Sequence, residues 1–137
     1  MTFHYSDLTP QHFATSIAWV SDMSAPTKWN LTTEETAILI GMDFREYLET
    51  RKMANEGQPF SLQPEVAERI SLLLGIWKRL QLLGFDEETA IAVFNRPNTG
   101  ELLNGKSIKL FLLESNSLAK YYAVNLYLEK IPGFKSD

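Results

Sequence analysis

The stretch of this chain whose residue types most directly suggest chemistry is Gly100–Ser107, "GELLNGKS". It matches the spacing G-x-x-x-x-G-K-S, in which backbone N–H groups cradle phosphates, a lysine reaches the outer phosphates and a hydroxyl meets Mg²⁺. That chemistry requires a buried strand running into the loop and a helix leaving it. Upstream stands "IAVFNRPNT", with no hydrophobic strand run ending at the loop, and no Asp-ended strand is visible elsewhere. The remaining reactive side chains are no better grouped. His4 and His12 lack an H-E-x-x-H partner, and Asp86, Glu87 and Glu88 are consecutive, so they point in different directions. Their simplest role is at a helix N-terminus. No catalytic residue, metal ligand or cofactor is expected, and the chain is read as a non-enzyme. Locally, Asn104-Gly105 is also a hairpin signal. A hairpin needs strand partners that this sequence lacks. The reading adopted is a fixed loop between two helices: Pro97 stops the first, Gly100 and Gly105 permit tight turns, and Ser107 starts the second.

The elements that must position this loop are helical. Phe13, Ile17, Val20 and Ser24 share one face over residues 10–24. Thr32 and Glu35 form a T-x-x-E capping box for a helix that Gly41 ends. Asp43 and Glu46 repeat the pattern before a helix ended by Gly57, so the pair is a helix-turn-helix candidate. Pro64 opens the longest helix, to Leu83, with Val66, Ile70, Leu73, Trp77 and Leu80 as its core stripe and Leu74 and Ile76 widening it. Gly84 stops it. Asp86 caps the next helix, "EETAIAVF". Ser107 caps "IKLFLLE", and Leu118, Tyr121, Val124, Leu128 and Ile131 mark a last helix ended by Pro132 and Gly133. The expected fold is all-α with about seven helices, divided as 1–83 and 84–137.

Composition narrows the function classes. A chain of 137 residues, 45 % hydrophobic and without cysteine, is one domain or two small modules with no disulfide framework. No apolar run approaches the roughly 20 residues a membrane span needs. The start "MTFHYSDLTP" has no basic-then-apolar leader pattern, so a cytoplasmic location is expected. A net charge of −4 argues against strong sequence-independent nucleic-acid binding.

Two halves together carry a family resemblance. "LTTEETAILIG", "FREYLETRK" and "SLQPEVAERISLLLGIWKRLQLLG" resemble the Xre-like helix-turn-helix half of Xre/ParS/MbcA-type antitoxins. "VFNRPNTGELLNGKSIKLFLLES" followed by "LAKYYAVNLYLEKI" resembles their toxin-binding half, with the pattern carried by Phe94, Pro97, Asn98, Gly105, Lys106, Ser107, Tyr127 and Leu128. The match spans roughly 28–131. It departs from the family where Ile108 replaces a common Pro and where "TGELLN" lengthens the loop. The resemblance implies an antitoxin of a type II toxin-antitoxin system that binds and inhibits a RES-type, NAD-consuming toxin, and in many members a homodimer that represses its own promoter. The alternative is a helix-turn-helix transcription regulator without a toxin.

Candidate contacts follow. For DNA, Arg45, Glu49, Arg51 and Lys52 are expected to point outward with Thr50 beside them, while Phe44, Tyr47 and Leu48 face inward. Arginine reads guanine and lysine reaches phosphates. Between Thr27 and Gly57, however, Lys28, Arg45, Arg51 and Lys52 face Glu34, Glu35, Asp43, Glu46, Glu49 and Glu56, an acidic balance for a DNA-binding segment. For the toxin, the candidates are Asn98, Gly105, Lys106, Ser107, Tyr122 and Lys130. Tyr121 and Tyr122 lie about 100° apart on a helix, so Tyr121 is expected in the core and Tyr122 outside it. The tail "EKIPGFKSD" is a further candidate to approach the toxin's NAD entrance, with Asp137 imitating a phosphate.

Overall fold

A computed structural model describes residues 4–83, 86–115 and 117–131. Among them the chain is all-α: a 3₁₀ turn Tyr5–Asp7, then α1 (Pro10–Met23), α2 (Thr33–Ile40), α3 (Phe44–Asn55), α4 (Pro64–Leu82), α5 (Glu87–Asn95), α6 (Ile108–Glu114) and α7 (Leu118–Glu129), with no strand. No described helix is long and apolar enough to cross a membrane. The packing divides between Ser71 and Leu72, inside α4, whereas the sequence pattern places the boundary at 83/84. Gly84, Pro132 and Gly133, expected to end helices, lie outside the described residues, as does the tail from 132 onward.

In the N-terminal unit the helix ends are set by neighbours in sequence. Thr32 and Glu35 exchange both capping-box bonds, each 3.0 Å. Gly41 sits at φ 75°, and Met42 N–H reaches back to the Ala37 carbonyl at 2.9 Å while Gly41 N–H reaches Ile38 at 3.0 Å. This closes the Schellman pattern that only a residue at ease with positive φ permits. Asp43 caps α3 by accepting from Arg45 and Glu46 N–H, but Glu46 does not return the bond, so the second box is one-sided. A further box went unread in the sequence: Thr9 and His12 exchange bonds at the start of α1, with imidazole Nδ1 in the place of a carboxylate. Phe13, Ile17, Val20 and Met23 face the core of this unit, so Met23 rather than Ser24 completes the α1 stripe.

The C-terminal unit is built around α7. Tyr121, Val124 and Leu128 are buried, as are Leu73, Ile76, Trp77 and Leu80 of α4. Leu74, expected to widen that stripe, is 36 % exposed. Asn125 is buried among these apolar residues and is fully bonded. Its Nδ2 donates to the carbonyls of Leu72 (3.2 Å) and Tyr121 (2.9 Å), and its Oδ1 accepts from Arg79 Nε (3.2 Å). A Cβ on Gly75 would stand 2.8 Å from that Oδ1, so α4 presents glycine where the amide approaches.

Candidate functional site

The loop Arg96–Ser107 is closed on itself. Asn98 N–H donates to the Lys106 carbonyl (3.1 Å) and Gly105 N–H to the Asn98 carbonyl (2.7 Å). Asn104 (φ 51°) and Gly105 (φ 88°) are both left-handed, and Lys106 N–H donates to Leu103 at 3.0 Å. These are the marks of a type I′ turn. The Asn-Gly hairpin signal was therefore locally correct, but the turn reverses a loop and joins no strands. Asn98 Oδ1 accepts from Gly100 N–H (3.1 Å) and from the Tyr127 hydroxyl (3.3 Å), which anchors the loop to α7. Leu103 at 0 % exposure plugs the loop into the core.

This closure decides the GxxxxGKS match. A phosphate loop turns its N–H groups into an open concavity. Here the N–H groups of Gly100, Asn104, Gly105 and Lys106 bond to oxygens of the loop itself. The Ser107 hydroxyl caps α6 by accepting from Leu110 N–H at 3.0 Å, and Lys106 Nζ bonds Glu114 at 2.6 Å. The match is a coincidence of spacing with a structural explanation for each member.

The toxin-binding candidates consequently separate. Asn98, Lys106 and Ser107 hold the loop together, and Gly105 provides its positive φ. Tyr122 and Lys130 lie elsewhere, on the outer side of α7. Tyr122 is 43 % exposed and Leu126, one turn on, 55 %, with Lys130 exposed at the helix end. Tyr121 is wholly buried, as the helical angle required. Leu126 escaped the sequence reading because a leucine in an apolar helix is assigned to the core by default. A small apolar pocket of about 90 Å³ is lined by Leu80, Val93, Ile108 and Leu128, with Asn98 and Tyr127 among its polar members.

On α3 the expected orientation is corrected. Tyr47 is 1 % exposed as expected, but Phe44 (40 %) and Leu48 (36 %) face outward. Thr50, assigned to the DNA-facing side, is buried at 9 %. Arg51 folds back over the Tyr47 ring, 5.5 Å from its centroid, and is half-buried. The inward face is thus Tyr47, Thr50 and, in part, Arg51. Arg45, Glu49 and Lys52 are exposed as read, now beside two apolar side chains. Of Phe44, Tyr47 and Leu48, only Tyr47 is inward, so apolar character does not by itself select the buried face of α3. Packing against α1 and α2 instead selects the face of Tyr47, whose ring fills the space a smaller residue would leave.

Asp86 has its carboxyl held below the usual value of 3.8, because the Thr89 backbone N–H, then the Thr89 side chain, bond its charged form. It is a cap, as the sequence indicated. Among the described residues no cluster of three or more His, Cys, Asp or Glu side chains is placed to hold a metal ion. Comparison of the chain with protein-family models, with curated proteins and with solved structures gives no match.

Proposed function

We propose that this protein is an antitoxin that binds and inhibits a RES-type, NAD-consuming toxin through its C-terminal unit, acting as a cytoplasmic homodimer. The reading is supported most by the outer stripe of α7. Tyr122, Leu126 and Lys130 recur at helical spacing, and the first two are large hydrophobic side chains left exposed side by side on one helix face. Tyrosine with an aliphatic neighbour is the composition of an interface centre, and a terminal cation suits its rim. The resemblance of the loop and α7 to antitoxin sequences supplies the class of partner. The loop residues Asn98, Gly105, Lys106 and Ser107 act in this reading by holding the surface in shape.

The test is to express the chain with any RES-type protein encoded beside its gene and to assay co-purification and inhibition. The wild-type chain forms a stable complex, and Tyr122→Ala with Leu126→Asp abolishes it while leaving the helical content unchanged. A folded double variant that still inhibits disproves the α7 interface. Absence of any toxin complex disproves the antitoxin reading. A regulator without a toxin draws its support from Arg45 and Lys52 on the outer face of α3. Promoter binding that falls steeply with salt, in the absence of any toxin complex, would put that reading first.

A further inference from the structure

A second site lies in the N-terminal unit, between the end of α1, the start of α2 and the middle of α3. A pocket of about 180 Å³ is lined by Ser21, Ser24, Thr33, Thr36, Tyr47 and Arg51, and no carboxylate lines it. Two of its hydroxyls are already engaged: Ser24 and Thr36 bond one another at 2.7 Å, and each is within reach of a helix carbonyl, Val20 or Thr32, at 2.9 Å. The other donors are not. Tyr47 is 1 % exposed as a residue, but its hydroxyl is not among the buried polar atoms without a partner: it opens on the pocket and has no hydrogen-bond partner among the described residues. Its hydroxyl is therefore a donor that solvent, or a ligand in solvent's place, reaches from the pocket. Arg51 lies over the Tyr47 ring and forms no ion pair with a described carboxylate. Its guanidinium is oriented by the ring, and its donors remain available.

We infer that this pocket binds a phosphate-type oxyanion. Donors converge from three helices, and the one charged side chain on the wall is cationic, so the complement is an acceptor carrying negative charge. Arginine presents parallel N–H groups that match two oxygens of a phosphate, whereas a neutral polyol leaves the cation uncompensated. Thr33, the first residue of α2, adds the positive end of the helix beside the pocket. Glu35 on the same turn is tied to Thr32 N–H, and Asp22 is paired with Lys28 at 2.7 Å, so both neighbouring carboxylates have other partners. Glu34 is exposed. A volume of about 180 Å³ holds several waters' worth of ligand, enough for one phosphate with part of its solvation shell. The oxyanion has two possible sources, a free phosphate or phosphomonoester and the phosphodiester of a nucleic-acid backbone. The inference does not depend on the antitoxin reading.

The test titrates the full chain with inorganic phosphate and with dimethyl phosphate, at ionic strength held constant with NaCl, following backbone amide shifts by NMR. Saturable binding is expected, with the largest shifts at Ser24, Thr33 and Tyr47. Tyr47→Phe and Arg51→Gln each weaken it about tenfold, the effect of losing one hydrogen bond to a charged group. Lys52→Gln, an exposed cation outside the pocket, leaves affinity unchanged. If Arg51→Gln fails to fold, Arg51→Lys reads the same point, since it keeps the charge and loses the fork. Comparable binding of both ligands indicates a phosphodiester source, and binding of inorganic phosphate alone a free one. No saturation, equal shifts with NaCl, or equal weakening by Lys52→Gln overturns the inference.

Discussion

The two interhelical connections that define this chain are built on opposite principles. The α2–α3 turn is completed between Thr32 and Glu46: a capping box before it, a left-handed glycine in it, and a carboxylate cap after it. The Arg96–Ser107 loop has its own local turn, but its position depends on Tyr127, 29 residues beyond Asn98. The helix that anchors it depends in turn on Asn125 bonding Leu72, 53 residues away. Helix caps limit where elements begin and end. Close approaches and buried amides determine where those elements lie. The difference predicts that conservative changes at the second kind of contact cost more than loss of a cap.

The largest effect is expected at Asn125. Replacement by Leu removes three side-chain bonds, to the Leu72 and Tyr121 carbonyls and from Arg79 Nε, and should lower unfolding free energy by about 2–3 kcal/mol in urea denaturation. Next comes Gly100→Ala, whose Cβ would collide with the Tyr127 hydroxyl and stand 3.1 Å from Cζ. A loss of about 2 kcal/mol is expected from this overpacking. Adding Tyr127→Phe removes the worst contact and should restore part of the loss, so a strictly additive double mutant would break the account. In the N-terminal turn, Gly41→Ala forces a side chain into φ 75° against Arg69 and should cost about 1.5 kcal/mol. Thr32→Ala removes one half of the box and should cost about 1 kcal/mol. If either of these outweighs Asn125→Leu, the contrast between the connections fails.

The smallest effect is the pH dependence contributed by Asp86. Its folded-state pKa is lowered by the Thr89 bonds, so the unfolded state binds more protons there. Its stabilising contribution is present above the unfolded value of 3.8 and is lost as pH falls below it and through the folded value. Melting temperatures of wild type and Asp86→Asn should therefore converge on acidification. Curves that stay parallel through that range would show that the cap bond is not linked to ionisation.

What was legible in advance follows this contrast. Thr32, Gly41, Asp86 and Ser107 were readable because a cap is a bond between residues three or four apart, and its partners are adjacent in the text. The α4 and α7 stripes were readable because repeated apolar spacing has one solution on a helix. Thr50, Phe44 and Leu48 were misread because α3 mixes apolar, polar and charged residues on every side, so its pattern alone does not select a buried face. Asn125 and the pocket of Tyr47 and Arg51 had no local signal. An asparagine in a helix looks solvent-exposed until its partners across the fold are known. The GxxxxGKS match shows the reverse case, a local signal strong enough to suggest chemistry and dissolved by the direction of four N–H groups.

The sequence by itself determined that the described chain is helical, where most helices start and stop, and the central core stripes of α4 (Val66, Ile70, Leu73, Trp77 and Leu80) and α7 (Tyr121, Val124 and Leu128). Each of these rests on interactions within one or two helical turns. Only tertiary structure decided which face of α3 is buried, that Asn98 serves Tyr127 and Gly100 rather than solvent, and that Arg51 turns toward a pocket instead of outward. Those outcomes depend on the shape of a partner surface distant in sequence, and burial is a property of that pairing.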